Sequence, residues 1–158
     1  MKTEDIINEL TQTRKLSKEA IEEIEENRGL RLEMIQYFEK NKNREFVLEF
    51  LKILTELRQD PNVGISGDSL MLACYILGQH NQIEDCLKVW ETKYIDFDTY
   101  CYIDIQLVPF QGVQETIEYL KTQTSDEAKN ALEYVITCSK AGDFDNLEEY
   151  YNQTPWFV

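Results

Sequence analysis

A single histidine, three prolines and no Cys-x-x-Cys pair leave this sequence with little of the usual equipment for catalysis or metal binding. A Ser/His/Asp triad, a His-rich zinc site or an imidazole base would all have to rest on His80, in the polar turn Gly78-Gln-His-Asn, which reads as a solvated loop. Cys74, Cys86, Cys101 and Cys138 each sit among apolar neighbours, and all four are expected to be reduced core thiols. No Gly-rich phosphate loop or dinucleotide fingerprint is present. No apolar run approaches the ~20 residues of a membrane helix, and Met1–Leu10 lacks the apolar middle of a signal peptide, so the expected location is the cytoplasm.

Basic residues are scarce and unevenly placed. Sixteen Lys/Arg against thirty Asp/Glu give a formal charge of −14, which argues against direct nucleic-acid binding and against anionic membrane surfaces. Residues 1–58 hold eleven basic and thirteen acidic side chains, whereas residues 59–158 hold five and seventeen, so the two parts carry −2 and −12. From Tyr94 to Leu120 there is no Lys or Arg at all.

What is abundant is amphipathic helix. A hydrophobic fraction of 42% in 158 residues suits one globular domain spanning residues 1–158. Apolar residues recur three and four apart, as in Phe46, Phe50, Ile53, Leu54 and Leu57. An all-α chain is therefore expected, with helices near 3–12, 18–27, 30–41, 44–58, 68–78, 82–93, 98–108, 113–123, 126–141 and 144–152. Ser17 and Ser125 are placed to cap helices, and Asn81 with Glu84 has the form of a capping box. Ile83, Leu87 and Trp90 recur as Val113, Ile117 and Leu120 and again as Phe144, Leu147 and Tyr151, at offsets of 30 or 31 residues. That repeat predicts stacked antiparallel helical hairpins over 28–158, a TPR- or HEAT-like array with residues 1–27 as an N-terminal cap, and burial at most of these positions. The TPR signature Trp-x-x-Leu-Gly-x-x-Tyr and the ankyrin Thr-Pro-Leu-His are both missing.

Candidate chemistry concentrates in Tyr94–Asp104, a segment with three carboxylates and four aromatic rings. Asp96-Phe97-Asp98-Thr99 has the Asp-x-Asp of haloacid-dehalogenase-like phosphotransferases, but Tyr100 stands where that motif wants Thr or Val, and no buried strand precedes it. An EF-hand loop starting at Asp96 would place Tyr100, Cys101 and Leu107 at positions needing an oxygen ligand, Gly and Glu. A carboxylate pair acting as acid and base is conceivable among thirty acidic residues, yet no pair stands out. Neither a cofactor nor a metal is expected.

Two readings of the segment remain. In the structural one, Asp96 and Asp98 cap a helix, Phe97 is a hydrophobic staple, and the tyrosines pack between hairpins. On a helix starting near Asp98, Cys101, Tyr102 and Ile105 would face the core, with Tyr100, Asp104 and Leu107 at its margins. In the functional one, Asp96, Asp98, Tyr100 and Asp104 meet a protein partner with a basic surface, steered by charge and held by tyrosine area. The run Gly142-Asp-Phe-Asp-Asn-Leu-Glu-Glu-Tyr-Tyr repeats this chemistry, with Asp143 as a cap and Asp145, Glu148, Glu149 and Tyr150 as further candidates. The apolar Pro155–Val158 is expected to fold over the last hairpin.

In its small size, strong acidity and helical-hairpin pattern, the whole chain resembles the immunity proteins of bacterial toxin systems. That resemblance implies a non-catalytic cytoplasmic protein that neutralises a cognate toxin by covering a basic surface. A helical-repeat scaffold or regulatory adaptor is the alternative, and an enzyme using a carboxylate pair a minor one.

Overall fold

A computed structural model describes residues 1–158 and contains ten α-helices, one short 3₁₀ turn and no strand, as the periodicity predicts. The chain divides into two compact units, Met1–His80 with Trp156–Val158, and Asn81–Pro155.

The first unit holds α1 (Thr3–Thr13), α2 (Lys18–Glu26), α3 (Arg28–Lys40), α4 (Arg44–Gln59) and α5 (Gly67–Gly78). Helix α5 is uncharged from Ser69 to Gly78, and a helix apolar on every side must be covered on every side. It is accordingly buried along that whole run, against α2, α3 and α4. Helix α4 turns a stripe containing Phe46, Phe50 and Leu54 inward, and Phe46 stacks on Phe38 at 5.3 Å. Its first turn is capped by Asn43, whose side chain accepts from the Phe46 amide. Ser17 caps α2 in the same way, as expected.

Two expectations are corrected in this unit. The C-terminal tail covers the core of this unit, not the last hairpin: Phe157 is fully buried and meets the Tyr75 ring at 6.1 Å. Its backbone is drawn there by Arg31, whose Nε donates to the Phe157 carbonyl at 2.9 Å. His80 is half-buried and tied down at both nitrogens. Its Nε2 accepts from the Asn43 amide at 3.0 Å, which leaves the ring proton on Nδ1 to donate to the Ile76 carbonyl at 2.9 Å.

The second unit holds α6 (Asp85–Lys93), α7 (Phe97–Tyr102), the 3₁₀ turn Ile105–Leu107, α8 (Val113–Thr122), α9 (Asp126–Ala141) and α10 (Leu147–Asn152). Helices α8 and α9, joined by residues 123–125, pack together as a hairpin, and α6 packs on α7 and α9. Ser125 caps α9 through the Ala128 amide, and Gly142, at φ 87°, closes its other end in the left-handed region that favours glycine.

Boundaries differ here from the sequence expectation in ways that move side chains. Asn81 takes a left-handed φ of 56°, and α6 starts only at Asp85 without a side-chain cap, so Asn81 and Glu84 make no capping box. Asp143 is no cap either: its amide bonds the Cys138 carbonyl in the turn that ends α9, four residues before α10 begins. Of the repeat positions, Trp90 and Leu120 are buried, while Ile83, Leu87, Val113, Ile117, Phe144 and Leu147 are only half-buried. The expected helix over 98–108 stops at Tyr102, because Ile103 turns extended (φ −71°, ψ 125°). That break changes the phase of every residue after it. After it Ile103 and Leu107 go into the core and Ile105 is half-buried; before it, within the helix, Cys101 and Tyr102 are exposed.

Three of the cysteines are buried free thiols and Cys101 is an exposed one, so the core-thiol expectation holds for Cys74, Cys86 and Cys138 only. Burial pushes the Cys86 thiol up to about 12 and Cys138 to about 11, from an ordinary 9.0. The folded state therefore holds these protons more tightly, and the stability they contribute is complete below pH 9.0 and lost as pH rises through 11 and 12. Burial shifts Tyr75, Tyr119 and Tyr134 upward too, with the same sign, while it lowers Lys93, with the opposite one. A melting temperature that falls between pH 9 and 12, and falls less in Cys86→Ala, is the expected result. Equal pH dependence in parent and variant would remove Cys86 from the account.

Candidate functional site

Asp96 opens α7 with a reciprocal cap. Its Oδ1 accepts from the Thr99 amide at 2.8 Å, while the Thr99 hydroxyl accepts from the Asp96 amide at 3.0 Å. The capping expectation for Asp96 is thus met, and it fixes the rest of the segment. With Asp96 as cap, the staple position is Ile95, and Phe97 falls at the first helical residue. Phe97 is consequently 79% exposed, not packed as a staple.

Beneath α7 lies a closed circuit of four rings. Trp90 meets Tyr94 at 5.5 Å, Tyr94 meets Tyr100 at 5.6 Å, Tyr100 meets Tyr134 at 5.6 Å, and Tyr134 returns to Trp90 at 5.4 Å. Lys93 is threaded into it, only 3% exposed. Its ammonium donates to the carbonyls of Tyr100 and Ile103, the latter at 2.6 Å, and lies 5.1 Å from the Tyr100 ring centroid and 5.9 Å from that of Tyr134. The last carbonyls of a short helix thereby gain a cationic donor. Burial pushes the Lys93 ammonium below its ordinary range, and the nearby Asp104 carboxylate acts against that push.

On the outer side, Tyr94, Asp96, Phe97 and Tyr100 line a concavity of about 340 Å³. Of five large apolar or aromatic side chains exposed along the chain, Tyr94, Phe97 and Tyr102 fall within residues 94–102, which makes a patch, not scattered exceptions. Asp98 stands exposed beside it on the same first turn.

The second acidic run reaches the end of this segment through two hydroxyls. Tyr150 donates to Asp104 Oδ2 at 2.7 Å, and Tyr151 donates to the Gln106 carbonyl. Gln106 also donates to the Asp143 carbonyl at 3.0 Å. Glu149 and Tyr150 line a second, more polar concavity of about 270 Å³ with Gln106 and Asp143, while Asp145 and Glu148 are exposed. The eight candidates thus divide: Asp96 and Tyr100 in the aromatic concavity, Glu149 and Tyr150 in the polar one, Asp104 bonded to Tyr150, and Asp98, Asp145 and Glu148 on the surface. Sequence reasoning left Tyr94, Phe97 and Lys93 off that set, and Trp90 and Tyr134 beneath them. The Trp90–Tyr94 spacing of four within helical sequence was legible, whereas nothing local announces Tyr134.

No three His, Cys, Asp or Glu side chains converge on a point that suits a metal ion. No helix is long and apolar enough to cross a membrane. The fold and surface define the chain as an all-α protein with an aromatic, acid-flanked patch on a short, tightly capped helix. No protein-family model, curated protein or solved structure matches the chain.

Proposed function

We propose that this chain is a non-catalytic, cytoplasmic binding module of the immunity type, which neutralises a basic protein partner through the acidic, tyrosine-rich surface around α7. The observation that carries this reading is the exposure of Phe97 (79%) and Tyr94 (60%) on a backbone held rigid by the Asp96–Thr99 cap and by Lys93. Large aromatic area fixed in place binds at low entropic cost. Charge supports it: residues 81–155 carry fifteen acidic side chains against five basic ones, a field that attracts a basic partner and repels nucleic acid.

The reading divides the roles. Asp98 and Glu148, both exposed, steer the encounter, and Phe97 holds the complex. With the partner captured from the source cell, Asp98→Lys and Glu148→Lys should slow association. That effect should fade as salt shortens the Debye length below about 8 Å. Phe97→Ala should speed dissociation about tenfold or more, the loss typical of a hot-spot aromatic. Adding the chain to the partner should abolish the partner's activity, whereas a scaffold would leave it intact. Unchanged kinetics in all three variants would move the interaction away from α7.

A further inference from the structure

We propose that the aromatic concavity of Tyr94, Phe97 and Tyr100 receives an extended, proline-rich segment of that partner with a basic residue beside the prolines, a deepening that rests on the binding-module reading. The Tyr94 and Tyr100 rings stand at 89° to each other with centroids 5.6 Å apart, so they form a right-angled corner, and Phe97 adds a third ring to the lining. In a polyproline II helix, residues i and i+2 lie about 6 Å apart along the axis and point about 120° from one another. Two prolines at that spacing meet the two walls of the corner in turn. Proline suits such walls because its ring is compact and apolar, and its fixed φ leaves little freedom to lose on docking. Asp96, the fourth lining residue, is engaged as the cap of α7, so the three rings supply the contact.

Other ways of holding a peptide do not fit this surface. Strand addition needs an exposed sheet edge, and the chain has no strand. A docked helix needs a groove that takes anchors at i, i+4 and i+7, about 10 Å long, whereas this concavity is lined by four residues of one short stretch, 94–100. A proline-rich segment needs only an aromatic surface, since its own backbone stays hydrogen-bonded to water. The walls are set in advance: the Lys93 ammonium holds the Tyr100 carbonyl, and the Tyr94 ring packs on Trp90 at 5.5 Å. Charge selects the flank. Residues 81–155 carry fifteen acidic side chains against five basic ones, and that summed field favours a Lys or Arg beside the prolines without requiring any single carboxylate.

The test is a titration of the full chain with acetyl-Arg-Pro-Pro-Pro-Pro-Pro-amide, followed by backbone amide resonances, beside one peptide with alanine in place of every proline and one with citrulline in place of arginine. Citrulline keeps the shape of arginine and removes its charge. Saturable shifts centred on residues 94–100 are expected, with affinity about tenfold weaker for the alanine peptide and about threefold weaker for the citrulline peptide, the second difference vanishing at high salt. Phe97→Ala removes an exposed ring, and Tyr94→Leu keeps apolar volume while deleting a flat face; each should weaken the proline peptide threefold to tenfold. Equal binding of the proline and alanine peptides, equal shifts at Trp156, the exposed aromatic of the first unit, or unchanged affinity in both variants would overturn the proline site. Tighter binding of the alanine peptide would assign the surface to a docked helix instead, and equal binding of the citrulline peptide at low salt would overturn the basic flank. Failure here and failure of the binding-module reading are separable. Proline peptide bound at 94–100 while the natural partner docks elsewhere sinks the module reading and leaves the proline site. A partner that protects 94–104 yet is not displaced by saturating proline peptide sinks the proline segment alone.

Discussion

Replacing Arg31 with leucine is expected to remove about 3–5 kcal/mol of stability, the cost of breaking a buried, fully engaged charge. Arg31 is 2% exposed, and its guanidinium donates to the carbonyls of Phe157 (2.9 Å), Ile24 (2.8 Å) and Glu25 (2.7 Å), with Asp68 Oδ2 3.7 Å from Nη2. One side chain thus joins the end of α2, the start of α5 and the C-terminal tail within the first unit. Leucine supplies apolar volume but no donor, so three carbonyls lose their partner, at about 1–3 kcal/mol for each that stays buried. For a chain of this length the melting temperature should fall by roughly 6–20 °C. Arg31→Lys should recover only part of the loss, because an ammonium cannot reproduce the guanidinium fork. A urea-denaturation loss under about 1 kcal/mol in Arg31→Leu would show that the tail is held by Phe157 packing alone.

Lys93→Met should have the second-largest effect and should act on function as well as stability. Methionine is close to lysine in length and keeps the apolar stem, so the change isolates the ammonium. Without it the carbonyls of Tyr100 and Ile103 lose their cationic donor and the rings of Tyr100 and Tyr134 lose a buried cation. A loss of about 2–4 kcal/mol is expected from the two carbonyls and the cation–π contacts. Helix α7 has six residues and little stability of its own, so the damage should be local first. Amide exchange at residues 100–103 should accelerate more than in α8 or α9, and partner binding should weaken even at temperatures where the chain remains folded. Uniform acceleration through the whole second unit would mean that Lys93 supports the core, not α7.

The all-helical class was legible because it depends on local periodicity, and Phe46, Phe50 and Leu54 fall on one buried stripe as their spacing requires. Caps made by a single side chain, at Ser17, Ser125 and Asp96, were legible for the same reason. Where reading failed, a long-range partner had decided the matter. Nothing near Arg31 in sequence reveals that it reaches a carbonyl 126 residues away. The helical pattern of 98–108 breaks at Ile103, which enters the core with Leu107, while Cys101 and Tyr102, in the helix before the break, are exposed. The acidic, aromatic character of 94–104 was plain from composition. Which of its residues face outward followed from one fact, the placement of the cap at Asp96: with the cap two residues later, at Asp98, Phe97 would be the staple, whereas here it is an exposed first helical residue.

Hydrogen exchange of the chain, free and in complex with the partner captured from its source cell, tests the α7 surface most directly. The account predicts that added protection concentrates at residues 94–104, with a smaller effect around Glu148–Tyr150, and that it disappears in Phe97→Ala combined with Asp98→Lys. Protection confined to the helices of residues 1–80, with 94–104 exchanging as in the free chain, would contradict it.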